Sequence, residues 1–550
     1  MKFKKLLVVG LTTMALLTTT TSSVFATSTS DYVASEDVWN QKLYEEIVDT
    51  VNKNMPNIKS AHKYVISKGK YKKYLKTITE EYYTHEDQEY LLSLGEDLKD
   101  FLKNDAKEDT PTYTSKGLIK NTQEVTYYGD AIQEAIDEAT SKKGGGIVII
   151  PGNGDENNPI VYYTGALELK SNVELHIEKG ATLKFVRNKS NDYYPVVYTR
   201  WEGVEMMNYS PFIYAYEAEN IAITGEGVLD GQADEFNWMP WKYGYFQEEN
   251  QKNERDRLFE LGQSGADVET ERIFTDETST LRPPFIQPYK SKNILIEGIT
   301  IKNSPFWEVN PVLCENVKVN GITIDTNLYN NDGVDPESSK NVLIENSSFN
   351  TGDDCIAIKS GRNNDGRRIN IPSENIVIRN NSFANGHGGI TVGSEISGSV
   401  KNVLATDNYF DSEDLDYPIR FKTNAERGGI IEDIYIRNST VKKSKKAVIH
   451  CDFFYEEGEK GDHTPTLRNV YLSNIKTVEG ASIDATNTLY LKGFEKSPIE
   501  NIVLQDVELN GTKGGAVLQN VKGLTYRSVT IDGEKLEDRT INVNNEGNEY

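Results

Sequence analysis

One short unit, an asparagine followed by Ile or Val and then by residues of alternating polarity, recurs through most of the chain and leaves few folds open to it. It stands at Asn220-Ile221, Asn293-Ile294, Asn316-Val317, Asn341-Val342, Asn375-Ile376, Asn402-Val403, Asn469-Val470 and Asn501-Ile502. Asp433-Ile434 and Gly523-Leu524 are degenerate copies. From Asn293 to Asn402 the spacings are 23, 25, 34 and 27 residues, an irregular period with a floor in the low twenties. Leucine-rich repeats share that period but need a recurring leucine frame, whereas Asn-Val-Leu-Ile-Glu at 341–345 alternates with period two, the signature of a strand. Coils of this length stacked strand on strand make a parallel β-helix, with aliphatic residues inward and Asn at the turns. The expected fold is all-β, a right-handed single-stranded parallel β-helix (solenoid) spanning residues 116–550, with longer intervals as loops on the binding face.

The ends of the solenoid can also be read. Residues 128–141 are amphipathic and precede the first expected strand, Gly146 to Pro151, so a helix there covers the open end of the stack. Upstream, Val38 to Leu102 is rich in Lys, Glu, Leu and Tyr and places Leu43, Ile47 and Val51 at helical spacing. We expect a small α-helical N-terminal region within 27–115, followed by a linker that runs from Asn104 to Gln123. The first residues, MKFKK, the apolar run Leu6 to Leu17 and Val24-Phe25-Ala26 have the order of a signal peptide, 1–26. Such a chain is exported and, once cleaved, has no membrane anchor, since the apolar run is shorter than the ~20 residues a bilayer requires.

Composition excludes further classes. With 84 acidic against 60 basic residues, the net charge of −24 argues against nucleic acid as a partner. Three cysteines, Cys314, Cys355 and Cys451, cannot build a disulfide framework, so core burial has to supply the stability.

Four motifs fall on successive expected coils: Asn330-Asn331-Asp332-Gly333-Val334-Asp335, Gly352-Asp353-Asp354-Cys355, Gly386-His387-Gly388-Gly389 and Arg420-Phe421-Lys422. Asp332 and Asp353 are one coil apart, which brings their backbones within one or two strand spacings of roughly 4.8 Å. If Ile356, Ile358, Ile390, Val392, Ile419 and Phe421 point inward, then Asp353, Lys359, His387, Arg420 and Lys422 point outward. Asp354 has the inward parity and needs a turn or bulge, which Gly352 makes possible. Clustered carboxylates suit glycosidic cleavage, because neighbouring like charges raise one pKa and leave one group as acid and another as base. Paired cations beside them suit an acidic sugar. Acids at 332, 335, 353 and 354 also suit Ca²⁺; zinc lacks ligands, with His387 alone nearby. No metal or cofactor is expected.

The same four motifs resemble family 28 of the glycoside hydrolases, the polygalacturonases, and within it the bacterial exo-acting branch. Its pattern Asn-Thr-Asp, Gly-x-Asp-Asp, Gly-His-Gly, Arg-Ile-Lys is met at 330–332, 352–354, 386–388 and 420–422, with Asn331 for Thr, Phe421 for Ile and no residue between Gly352 and Asp353. Further similarity runs through 198–203, 282–285, 303–307, 358–362 and 393–395, and overall covers roughly 124–530. The resemblance implies a secreted hydrolase of α-1,4-linked galacturonan in pectin, acting by inversion. It implies Asp353 as general acid, Asp332 and Asp354 as the pair that holds and deprotonates water, and His387 as support for the acid. Asn330, Arg420, Lys422 and Lys359 then bind substrate. The 73-residue interval between Asn220 and Asn293, with Trp238, Trp241, Tyr243 and Tyr245, and the insertion between Gly361 and Asn375 could close one end of a cleft, which favours exo action. The alternatives are an endo-polygalacturonase or rhamnogalacturonan hydrolase, a calcium-dependent pectate lyase, and a non-catalytic polysaccharide-binding β-helix.

Overall fold

The computed structural model describes residues 38–58, 62–67, 69–83, 121–243, 250–275 and 279–550. The signal segment 1–26, residues 84–102 and the linker as far as 120 lie outside them.

Strands on successive coils pair in parallel along the length of the molecule, in the right-handed solenoid expected. The Asn-Ile/Val units are its turns. Asn220, Asn293, Asn316, Asn341, Asn375, Asn402, Asn469 and Asn501 all have φ between 53° and 59°, as does the degenerate Asp433, and Gly523 takes 74°. Asn, Asp and Gly tolerate that left-handed conformation at least cost. Each Asn amide also donates to the side chain one coil earlier, as in Asn316 to Asn293 (3.0 Å) and Asn402 to Asn375 (3.0 Å). The same ladder begins at Asn172, to which Asn220 donates.

Inside the coil the aliphatic rows stack in register: Val317, Val342, Ile376 and Val403 occupy one row. Phe349, Phe383 and Phe410 stack face to face at 5.3 and 4.9 Å. All three cysteines are buried free thiols. Burial pushes the Cys314 and Cys355 thiols up to about 12.

Helix α1, Gln41–Asn54, starts at Asn40, whose side chain accepts from the Leu43 amide. It buries Ile47 and Val51 against Leu343, Val377 and Leu404 on the outside of the solenoid. Helix α2, Gly129–Thr140, inserts Ala131, Ile132, Ala135, Ile136 and Ala139 into the core.

The N-terminal region holds strands as well as α1. Lys63–Val65 is a strand stacked in parallel on Gly146–Ile150, and Lys76–Tyr82 pairs antiparallel with Asn121–Tyr127. The chain from Val38 onward is one compact unit, so no boundary at 115/116 separates two bodies. The Ile and Tyr of these segments bury better against an unpaired sheet edge than in an isolated helix.

Candidate active site

One face of the solenoid carries the four motifs. Its strands Ile356–Ile358, Ile390–Val392, Ile419–Lys422, Ala447–Asp452, Asn487–Lys492 and Val517–Gln519 form a six-stranded parallel sheet. Bridges from Val334 to Ile356 and from Val309 to Val334 continue it backwards. Register then sets the neighbours: with Ile356 beside Ile390, Asp353 stands beside His387, and with Val334 beside Ile356, Asp332 stands beside Asp354.

Asp332, Asp353 and Asp354 each offer a carboxylate oxygen within 4.8 Å of the others. Asp354 lies on an irregular stretch ahead of its strand, which frees it from its inward parity. A Cβ at position 352 would lie 1.8 Å from the Leu328 carbonyl, so the turn there requires glycine. Asp354 accepts from Arg420 Nη1 (3.1 Å) and Lys422 Nζ (2.6 Å), and Lys359 Nζ lies 3.3 Å from Asp332. His387 Nδ1 is 3.0 Å from Asp353 Oδ1.

These contacts divide the protons unequally. Burial, together with the charges of Asp353 and Asp354, pushes Asp332 up to about 7 despite Lys359. Burial acts on Asp353 too, but the bond and charge of His387, with Lys422 and Arg420 beyond, outweigh it and hold Asp353 well below the ordinary carboxylate range. Against the same penalty, Lys422 and Arg420 hold Asp354 down. His387 is raised, first by its hydrogen bond to Asp353.

The outward face differs from expectation in how little of it is open. Lys359 is buried, held between Asp332, Asp335 (3.7 Å) and Glu395 (3.4 Å), with Trp307 at 4.4 Å. It is therefore a tether of the acid cluster and not a free surface cation. Asn330 is likewise engaged, its Oδ1 accepting from Arg282 Nη2 at 2.8 Å. Access runs past Asp353 and His387, whose side chains are 17% and 53% exposed. Arg420 Nε is buried and has no hydrogen-bond partner among the described residues.

On one side the sheet continues away from the acids, with His450 and Tyr490 in register with Arg420, their rings stacked at 5.0 Å. Beside Lys359, past the ends of the strands Ile356–Ile358 and Ile390–Val392, inserted segments meet as a wall. Its core is Glu395, which binds Lys359 and, at 3.3 Å, Arg362 Nη1. Burial notwithstanding, Lys359, Arg362 and Arg427 lower Glu395 to about 2. Arg362 begins helix α4, Asn363–Ile369; its backbone amide donates to Gly203 and its side chain lies 3.7 Å from Glu202, at the tip of the hairpin Val196–Trp201/Val204–Tyr209. The Arg362 guanidinium also covers the ring of Phe259 (3.7 Å), from helix α3, Lys252–Ser264, of the long insertion.

Trp238 and Trp241 belong to the main core, around Tyr194, Phe212 and Tyr209, and do not face the acids. A large apolar ring gains more from that burial than from a polar cleft. Tyr245 and the side chain of Tyr243 lie outside the described residues. Sequence reasoning missed Tyr417 and Tyr455, whose rings lie 5.0 and 5.7 Å from the Arg420 guanidinium. Both are in loops between strands, where no periodicity points to them.

The family model described as "Glycosyl hydrolases family 28" matches residues 273–530. The solved structure of a hyperthermoactive exopolygalacturonase from Thermotoga maritima is similar to 91% of the chain and 98% of its own, at 34% identity and a TM-score of 0.73. An exo-poly-alpha-D-galacturonosidase of Dickeya chrysanthemi is 30% identical over 388 residues, 66% of this chain and 62% of the relative. A polygalacturonase from Erwinia carotovora ssp. carotovora has 25% identity and a TM-score of 0.52, over 72% of this chain and 93% of its own.

Proposed function

The chain belongs to family 28 of the glycosyl hydrolases, and from that premise we propose that it removes single galacturonate residues from the end of a pectic galacturonan chain by inverting hydrolysis. The observation that carries this reading is a cluster of three carboxylates with paired cations held against Asp354 and inserted segments joined to it through Lys359, Glu395 and Arg362. The cations suit a uronate, and inserted segments tied to the acid cluster through Lys359 and Glu395 favour a chain end over an open cleft.

In this reading Asp353 is the general acid. The His387–Asp353 pair holds one proton between its members, and negative charge growing on the leaving oxygen draws that proton out through Asp353. Asp354, kept ionised by Arg420 and Lys422, takes the proton of the attacking water, and Asp332 fixes that water in place. Oxygens up to 4.8 Å apart are bridged by one water about 2.8 Å from each, so a close pair can hold the nucleophile. Arg420 and Lys422 take the substrate carboxylate, and Asn330, oriented by Arg282, completes the binding face.

Calcium-dependent elimination is less favoured, because Lys359, Arg420 and Lys422 already match the charge of the acids. Among the described residues no helix is long and apolar enough to cross a membrane; export through the segment 1–26 belongs to the same proposal.

Digestion of polygalacturonate with and without a chelator, with product sizing and proton NMR of the first anomer formed, tests the reading. It requires monomer from the earliest times, inverted configuration and no effect of the chelator. Mixed oligomers would establish endo action, and a chelator-sensitive, ultraviolet-absorbing product would establish a lyase. Asp353→Asn, properly folded by circular dichroism, is expected to lose a factor on the order of 10² to 10⁴ in kcat.

A further inference from the structure

Behind the wall lies a buried carboxylate that the proposed chemistry does not use. Asp365, in α4, accepts from two segments remote in sequence and from its own helix. Its Oδ2 takes the Glu205 amide at 2.8 Å, from the second strand of the hairpin. Its Oδ1 takes Arg272 Nη1 at 2.8 Å, from the end of the long insertion, and Arg368 Nε at 3.1 Å. Arg272 is fully buried and also donates to the carbonyls of Glu205 (3.1 Å) and Ala266 (2.8 Å). Arg368 closes the ring on Glu205 at 2.5 Å, and the Tyr289 hydroxyl donates to the same carboxylate.

The three segments joined here build the wall. The hairpin carries Glu202 and Gly203 to Arg362, α4 begins at Arg362, and the insertion supplies Phe259, whose helix Lys252–Ser264 packs on α4 and on the hairpin. We propose that Asp365 is the latch of this wall: a positioning residue, clear of the acid cluster, that locks hairpin, insertion and α4 together and thereby restricts cleavage to a chain end. The inference rests on the exo reading given above. Its physical basis is the high cost of leaving a buried ionic group unpartnered. Loss of one member therefore releases the segments from one another and not merely from itself.

Asp365→Asn turns an acceptor oxygen into a donor facing either the Glu205 amide or Arg272. Arg368→Ala removes two charge-assisted bonds from a half-exposed position and perturbs the core less. Wild type and both variants would be given polygalacturonate, and the ratio of oligomeric to monomeric product would be measured together with the viscosity lost per bond broken. In both variants the ratio is expected to rise by roughly tenfold, more for Asp365→Asn, with a steeper viscosity loss, as a wall released into open and closed states lets the polymer through. A purely structural role would lower the melting temperature and total rate while leaving the ratio unchanged, and that result overturns the latch. Oligomers from the wild type would overturn the exo reading and the latch with it, whereas monomer from all three proteins overturns the latch alone. If Asp365→Asn does not fold, Arg368→Ala decides.

Discussion

Burial and two neighbouring carboxylates make the neutral acid the favoured form of Asp332 in the folded chain, about 7 against roughly 3.9 in an unfolded one. Between those values the native state binds the extra proton, so the contribution of Asp332 to stability is present below about pH 4 and lost as the pH rises towards 7. Asp332→Asn removes that titration. Its melting temperature relative to wild type is expected to be higher at pH 7 than at pH 4, while hydrolysis is lost; a difference independent of pH would mean that Asp332 stays ionised throughout. Asp353 titrates in the opposite sense. Held low by His387, it contributes above the ordinary carboxylate range and loses that contribution as the pH falls through its depressed value. The identity of these residues was legible in four short motifs. The proton distribution was not, because it depends on how Lys359, Arg420, Lys422 and His387 are shared among the acids.

At the scale of elements, α1 and α4 illustrate two kinds of legibility. The helical spacing of Leu43, Ile47 and Val51 was readable, and so, in retrospect, was its dock: Leu343, Val377 and Leu404 are apolar at outward positions, which in a solenoid calls for a cover. Ile47→Ala should cost about 2 kcal/mol, the low end for a buried Ile on a peripheral cluster. Urea unfolding measures that loss, and activity on galacturonan should be unchanged, since α1 lies on a different sheet from the acids. Helix α4, by contrast, appeared in the sequence only as an extra length between Gly361 and Asn375. Its role follows from what Arg362 and Asp365 touch, and those partners lie up to 160 residues away.

For the whole molecule, core and active surface are two sides of the same coils. Phe349, Phe383 and Phe410 stack behind the acid loops, and a Cβ on Gly333 or Gly389 would collide with Phe349 or Phe410 at 2.8 and 2.6 Å. Phe383→Ala therefore reaches both stability and rate. It is expected to destabilise by about 3–5 kcal/mol, and kcat should fall as well, because the loops carrying Asp332 and His387 rest on the rings above and below the cavity. Thermal unfolding and initial rates on one preparation measure both, and an unchanged kcat would mean that the loops hold their shape without the stack.

The sequence by itself determined the solenoid, because a left-handed turn residue followed by alternating apolar positions is local chemistry repeated at every coil. It also determined which side chains share the outer face of the site sheet, since register and parity follow from that repeat. Only the tertiary structure decided which of those charges neutralise one another, and that the hairpin and the two insertions meet as a wall. Ion pairing and insertion docking depend on distances between segments remote in the chain, and no local pattern encodes them.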